Sequence, residues 1–168
     1  ASFEVDLDQR SSQAIALMER FAATPVQQAR ACNERAVTRL HRGDLPGTEA
    51  AARAGLRALG GGDAPLLRAE LRRNVAAVHL WRNETQAAYR AYRRSLTLAP
   101  DQPEARYQMA ALLYRFAQHT PDRSEPALAE AADLAQRACG LAPGRADVYY
   151  LLGRVYQLAG KAPLAHAP

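Results

Sequence analysis

The chain has 168 residues, enough for one ordinary domain with a core of its own. Its apolar half is 37 Ala and 21 Leu against one Ile and three Phe, which favours helix and excludes a substantial β-sheet. Twenty-one Arg and one Lys against 17 acids leave +5, and no run of 18 apolar residues is present to span a membrane.

The chain opens without a basic-plus-apolar leader, so any targeting signal is expected to have been removed or never to have existed. Residues 2–7 alternate apolar and polar like a strand but have no partner strand, so an extended arm is expected there. Asp8 to Ala23 reads as a helix with Ile15, Leu17, Met18 and Phe21 apolar. Arm and helix make up residues 1–24, and a helical repeat region fills 25–168. From about Ala29, the small or turn residues Ala36, Gly43, Thr48, Ala52 and Gly55 mark a helix pair, and Gly60-Gly61-Gly62 connects it onward. Pro65 to Arg82 and Glu84 to Leu98 form the next pair, broken at Arg82-Asn83 and closed by Leu98-Ala99-Pro100. Pro103 to Gln118 opens a third pair. The breaker-rich run at 118–126 is expected to be a loop carrying about nine residues beyond a 34-residue repeat. After it, Leu141-Ala142-Pro143 repeats the earlier closing tripeptide, and Ala146 to Gly160 begins again.

One stretch in that last run is the most regular: Tyr149, then Leu152-Gly153, then Tyr156, with Gly160 at the turn and Ala165 beyond. Upstream, Val75-Ala76, Ala88 and Tyr92 four apart, Ser95 and Pro100 follow the same order. Between them lie Met109-Ala110, Leu113, Ala131, Ala135, Ala138 and Pro143. This pattern resembles the tetratricopeptide repeat over residues 29–168. The resemblance implies an all-α solenoid of antiparallel helix pairs, three to four repeats long, in which each repeat buries its apolar face against its neighbours. It also implies that Gly153 and Tyr92 sit at tight packing positions. Because a partner helix starts near Lys161 and the sequence stops at Pro168, the chain is expected to be a fragment of a longer protein. The alternative is self-association over an uncapped C-terminal end.

Catalytic chemistry finds no support. The four His are scattered, with none paired to another ligand at metal spacing, and no nucleophile elbow surrounds any of the five Ser. Cys32 and Cys139 form no disulfide framework and leave the redox compartment open. Gly160-Lys161 lacks the strand and glycine spacing of a phosphate loop. No catalytic residue, metal or cofactor is expected. His79 reads as a half-buried packing residue. Glu70, Glu104 and Asp147 share a repeat position, read as first-turn carboxylates favoured by the helix dipole.

Residues 30–94 carry a net +7, and Arg82, Arg90, Arg93 and Arg94 interleave with Tyr89 and Tyr92. That combination admits a nucleic-acid surface, but a solvated outer face is the expected reading, with Tyr92 committed to packing. By resemblance, the exposed positions of the first helices line a groove. Equivalent positions give Asn33, Arg73, Tyr107 and Tyr150 in one column, and Glu34, Asn74, Gln108 and Leu151 in the next. Trp81, Tyr114, Arg115 and Arg154 surround them, with Leu80. Aromatics, Arg and amides together are the composition of a recognition surface. In peptide-binding members of the family an Asn at the Asn74 position contacts the ligand. The basic set that clamps chaperone C-termini is replaced here by Asn33, Val37, Glu104 and Gln108.

The expected function is a non-catalytic module that binds a peptide or protein segment, as an adaptor, chaperone-like or assembly factor. Similar bacterial proteins serve pili, secretion and cytochrome maturation. Three alternatives stand beside it: the non-catalytic arm of a larger bacterial enzyme, such as a sulfotransferase or glycosyltransferase, that helps select protein substrates; a basic nucleic-acid-binding surface; and packing of the groove residues on the helix at 8–23 or on a further domain. The Arg-for-Lys bias with abundant Ala fits a GC-rich bacterial genome, and a cytoplasmic or periplasmic setting stays open.

Overall fold

The computed structural model describes residues 2–120 and 124–160, with side chains from Gln9 onward. Eight α-helices occur among them, and no strand. They are α1 (Ser2–Arg20), α2 (Pro25–His41), α3 (Leu45–Leu59), α4 (Pro65–Trp81), α5 (Thr85–Leu98), α6 (Pro103–His119), α7 (Ser124–Leu141) and α8 (Ala146–Leu158). Short turns make α2/α3, α4/α5 and α6/α7 antiparallel pairs, and helices adjacent in sequence pack on one another within two compact units, residues 1–99 and 100–168. The architecture is the all-α, helix-pair solenoid class that the resemblance implied. Residue 25, where the sequence reading starts the repeat region, is the first residue of α2.

Prolines and caps place the helix starts. Pro25, Pro46, Pro65 and Pro103 lie in the first turns of α2, α3, α4 and α6, where a missing N–H costs nothing. Ahead of α2, the Gln27 amide N–H donates to Thr24 Oγ1 at 3.2 Å, and the Thr24 N–H donates to Gln27 Oε1 at 3.0 Å, completing a capping box. Asp44 accepts from the Gly47 N–H at 2.8 Å ahead of α3.

Helices α2 and α4 stop by one device. After α2, the Gly43 N–H donates to Leu40 O and the Asp44 N–H to Arg39 O; after α4, Asn83 and Glu84 do the same to Leu80 O and His79 O. This pair of bonds turns the chain through a left-handed residue, and φ is +74° at Gly43 and +59° at Asn83. Gly140 sits inside α7 in ordinary helix, whereas Gly160 repeats the left-handed stop after α8, with φ +65°.

Two expectations need correction. Residues 2–7 are not an extended arm: α1 starts at Ser2, because helix satisfies the backbone groups that an unpaired strand would leave open. The extra length near 118–126 is not a long loop either. Helix α6 continues to His119 and α7 begins at Ser124, with Pro126 tolerated in its first turn. The added residues lie inside the helices, since α2, α4 and α6 each run 17 residues, and successive first helices start at 25, 65, 103 and 146. Gly153 is exposed among the described residues, and none of them comes within 4 Å of a Cβ placed there. The helix expected from Lys161, which the register sets against it, lies outside the described residues.

Small residues do let helices approach at Gly55. A Cβ there would meet Leu71 Cδ2 at 2.8 Å and Cys32 Cβ at 3.1 Å, so α3 lies hard against both α2 and α4. Around that contact Ala29, Ala36, Ala51, Ala52, Leu59 and Leu67 form the core of the first unit. Helix α5 is fixed to α4 by Tyr92, 1% exposed, and by Ser95 Oγ, which donates to Ala69 O at 2.8 Å. In the second unit Ala138, Cys139 and Val148 pack with Tyr107 and Leu152, while Met109, Ala131 and Ala135 are buried nearby in sequence register. Both thiols are free, and burial raises both above the ordinary cysteine range.

Candidate functional site

The ten predicted groove residues divide between the units. Asn33, Arg73, Asn74 and Trp81 belong to the first; Tyr107, Gln108, Tyr114, Arg115, Tyr150 and Arg154 belong to the second.

In the first unit the helices α2 and α4 pack directly. Asn33 and Asn74 lie at that contact, 6% and 3% exposed. The Asn74 Nδ2 donates to Asn33 Oδ1 at 2.9 Å, and Asn33 Nδ2 donates in turn to Glu70 Oε2 at 3.2 Å. The two amides are therefore not groove-facing as expected; they are an internal bridge between first helices, each satisfying the other where burial would otherwise be costly. Glu70 is the end of that bridge, not a first-turn carboxylate, because α4 begins five residues earlier at Pro65. Arg73 and Leu80 are half-buried, Glu34 is exposed, and Trp81 stands out at the end of α4 with 68% of its surface in solvent.

In the second unit the side chains organise around two arginines. Arg145, at the N-cap of α8, pairs with Asp147 Oδ2 at 2.5 Å and with Glu104 on α6, and its guanidinium lies 5.0 Å from the centre of the Tyr107 ring. Gln108 Nε2 donates to Glu104 Oε1 at 2.8 Å. Asp147 first and Glu104 second hold the Arg145 guanidinium even more firmly protonated than usual, and Arg145 holds the Asp147 carboxyl below the ordinary carboxylate range. Glu104 and Asp147 do occupy first turns, as expected, but their main partner is Arg145. Sequence reasoning missed this residue. Its only signal is a place between the closing Pro143-Gly144 and a first-turn acid.

The second arginine is Arg154. Its guanidinium is held protonated first by its hydrogen bond to the Tyr114 hydroxyl. Gln118 Nε2 also donates to the Tyr114 hydroxyl at 3.1 Å. Tyr150 is 71% exposed, Arg115 and Arg154 are exposed, and Tyr114 is half-buried. Leu151 instead turns inward and is buried. The structure thus brings Tyr114, Tyr150 and Arg154 together on one solvent-facing patch of α6 and α8.

Among the described residues no three His, Cys, Asp or Glu side chains gather as metal ligands would, and no helix is long and apolar enough to cross a membrane. His79 is half-buried, its Nδ1 2.5 Å from Glu84 Oε2. No family model matches the chain, and no curated protein matches it significantly.

Proposed function

We propose that the chain is a tetratricopeptide-like, non-catalytic protein-interaction module acting as an adaptor, chaperone-like or assembly factor. The reading gives the α6/α8 face the role of holding a peptide or protein segment. The observation that carries it is the Tyr114–Tyr150–Arg154 patch. Large aromatics and an arginine stand together in solvent, and these residue types dominate binding energy at protein interfaces. A flat ring such as Tyr150 can be covered at little conformational cost, and Arg154 can offer its planar donors to a backbone carbonyl or a carboxylate. Asn33 and Asn74 contribute by holding α2 to α4, not by touching the ligand.

The test is to isolate the partner with the full chain, purify it, and measure its affinity for variants. Tyr150→Ala and Arg154→Ala should each weaken binding by about tenfold or more, whereas Arg137→Ala, an exposed α7 position, should change it little. Equal affinity across all three variants would remove this face from the function.

A further inference from the structure

We propose that the first unit holds an open pocket for a small organic phosphate, bordered by α3, α4 and α5. This rests on different residues from the segment-binding face and stands or falls separately.

The pocket has a volume of about 290 Å³, and Arg53, Arg72, Arg90, Arg94 and His79 line it. Two of these five already have acidic neighbours: Arg53 pairs with Glu49 at 2.7 Å, and His79 Nδ1 lies 2.5 Å from Glu84 Oε2. Among the described residues Arg72, Arg90 and Arg94 have no ion pair. Three uncompensated guanidinium groups therefore converge on one cavity. On an open helix face such charges would simply be hydrated. Here the hydration is incomplete, because the Nε of Arg72 is buried and has no hydrogen-bond partner. A buried charged donor without an acceptor is among the costliest polar arrangements a fold can carry. An anion in the pocket would answer the charge of Arg72 together with that of Arg90 and Arg94.

The chemistry selects phosphate. Guanidinium groups present paired donors that match the oxygens of a phosphoryl group, and a dianion answers converging positive charges better than a single carboxylate does. Leu56 and Val75 add aliphatic wall, so the ligand has an apolar body beside its charge. Nucleic acid fits less well. A polynucleotide is held along a track of cations with aromatic rings for its bases, whereas these cations close on one cavity and the neighbouring Tyr92 is buried in the core.

Titration calorimetry of the full chain at low salt tests this with three probes: phenyl phosphate, inorganic phosphate and a single-stranded oligonucleotide. Phenyl phosphate should saturate one site per chain and bind more tightly than inorganic phosphate. Arg72→Gln and Arg94→Gln should each weaken it by about tenfold, the loss expected for one charge-assisted bond, and Arg137→Gln should not. Arg94 is exposed, so its variant should fold even if Arg72→Gln does not, which circular dichroism will show. Absence of saturable phenyl phosphate binding overturns the proposal, as does binding unchanged in Arg94→Gln. An oligonucleotide that binds more tightly than phenyl phosphate also overturns it and assigns the arginines to nucleic acid.

Discussion

The α2/α4 face of the first unit and the α6/α8 face of the second are each built from the first helices of their pairs and end in opposite states. Short amides meet in the first: Asn33 and Asn74 are buried and bonded to each other and to Glu70. Long side chains stand in the second, with Tyr150 and Arg154 in water and Tyr107 beneath Arg145. The difference follows from reach. A side chain of two carbons and an amide can be sealed between two helices when a partner amide satisfies it. A tyrosine or arginine keeps its polar tip outside while its stem covers the surface. Register tells which residues share a face, and side-chain length decides whether that face closes.

The strongest way to break this comparison is to make one kind of truncation on both kinds of site. Tyr92→Ala empties a fully enclosed position and should cost about 3–5 kcal/mol in denaturant unfolding. Tyr149→Ala, at a half-open site, should cost well under that. Equal costs would mean that burial does not separate the two regions.

Glycines sharpen the same contrast at smaller magnitude. Gly55→Leu drives atoms into Leu71 and Cys32 and should cost about 1–3 kcal/mol. Gly140→Ala meets nothing within 4 Å and should be neutral or stabilising by up to about 1 kcal/mol. A destabilising Gly140→Ala would place unseen packing on α7.

Acid should expose the smallest effect. Glu49 accepts from Arg53 and Arg82, which lower its carboxyl below the ordinary value of 4.5. A depressed carboxylate contributes stability that is complete above its unfolded value and is lost as pH falls through its folded value. Melts of the wild type and Glu49→Gln should therefore differ at neutral pH and converge below the ordinary carboxylate range. A gap that persists in strong acid would mean that Glu49 acts through packing and not through charge.

Much of the helical framework was legible because it rests on local signals. Prolines mark starts, Gly43 and Asn83 mark stops, and Ala88, Tyr92 and Ser95 all fall on the buried side of α5 as the repeat register requires. The site was legible only in part. Spacing put Tyr114, Tyr150 and Arg154 on first helices, and all three lie within one unit. Spacing could not show that Asn33 would meet Asn74, a pairing 41 residues apart that depends on how closely α2 and α4 approach. Nor did spacing single out Gly55, the glycine with close neighbours on both α2 and α4. Arg72 looked like any other arginine in a basic stretch until the fold set it at a pocket bordered by three helices.

Thermal unfolding of Asn74→Ala beside Tyr150→Ala tests the central contrast most directly. Asn74→Ala leaves the Asn33 amide buried without its partner and should cost about 1–3 kcal/mol, a fall of several degrees in Tm for a chain of this size. Tyr150→Ala removes a ring that is mostly in water and should shift stability by no more than about 0.5 kcal/mol. A stable Asn74→Ala together with a destabilised Tyr150→Ala would contradict the account, making the second face the structural one and the first the face open to a partner.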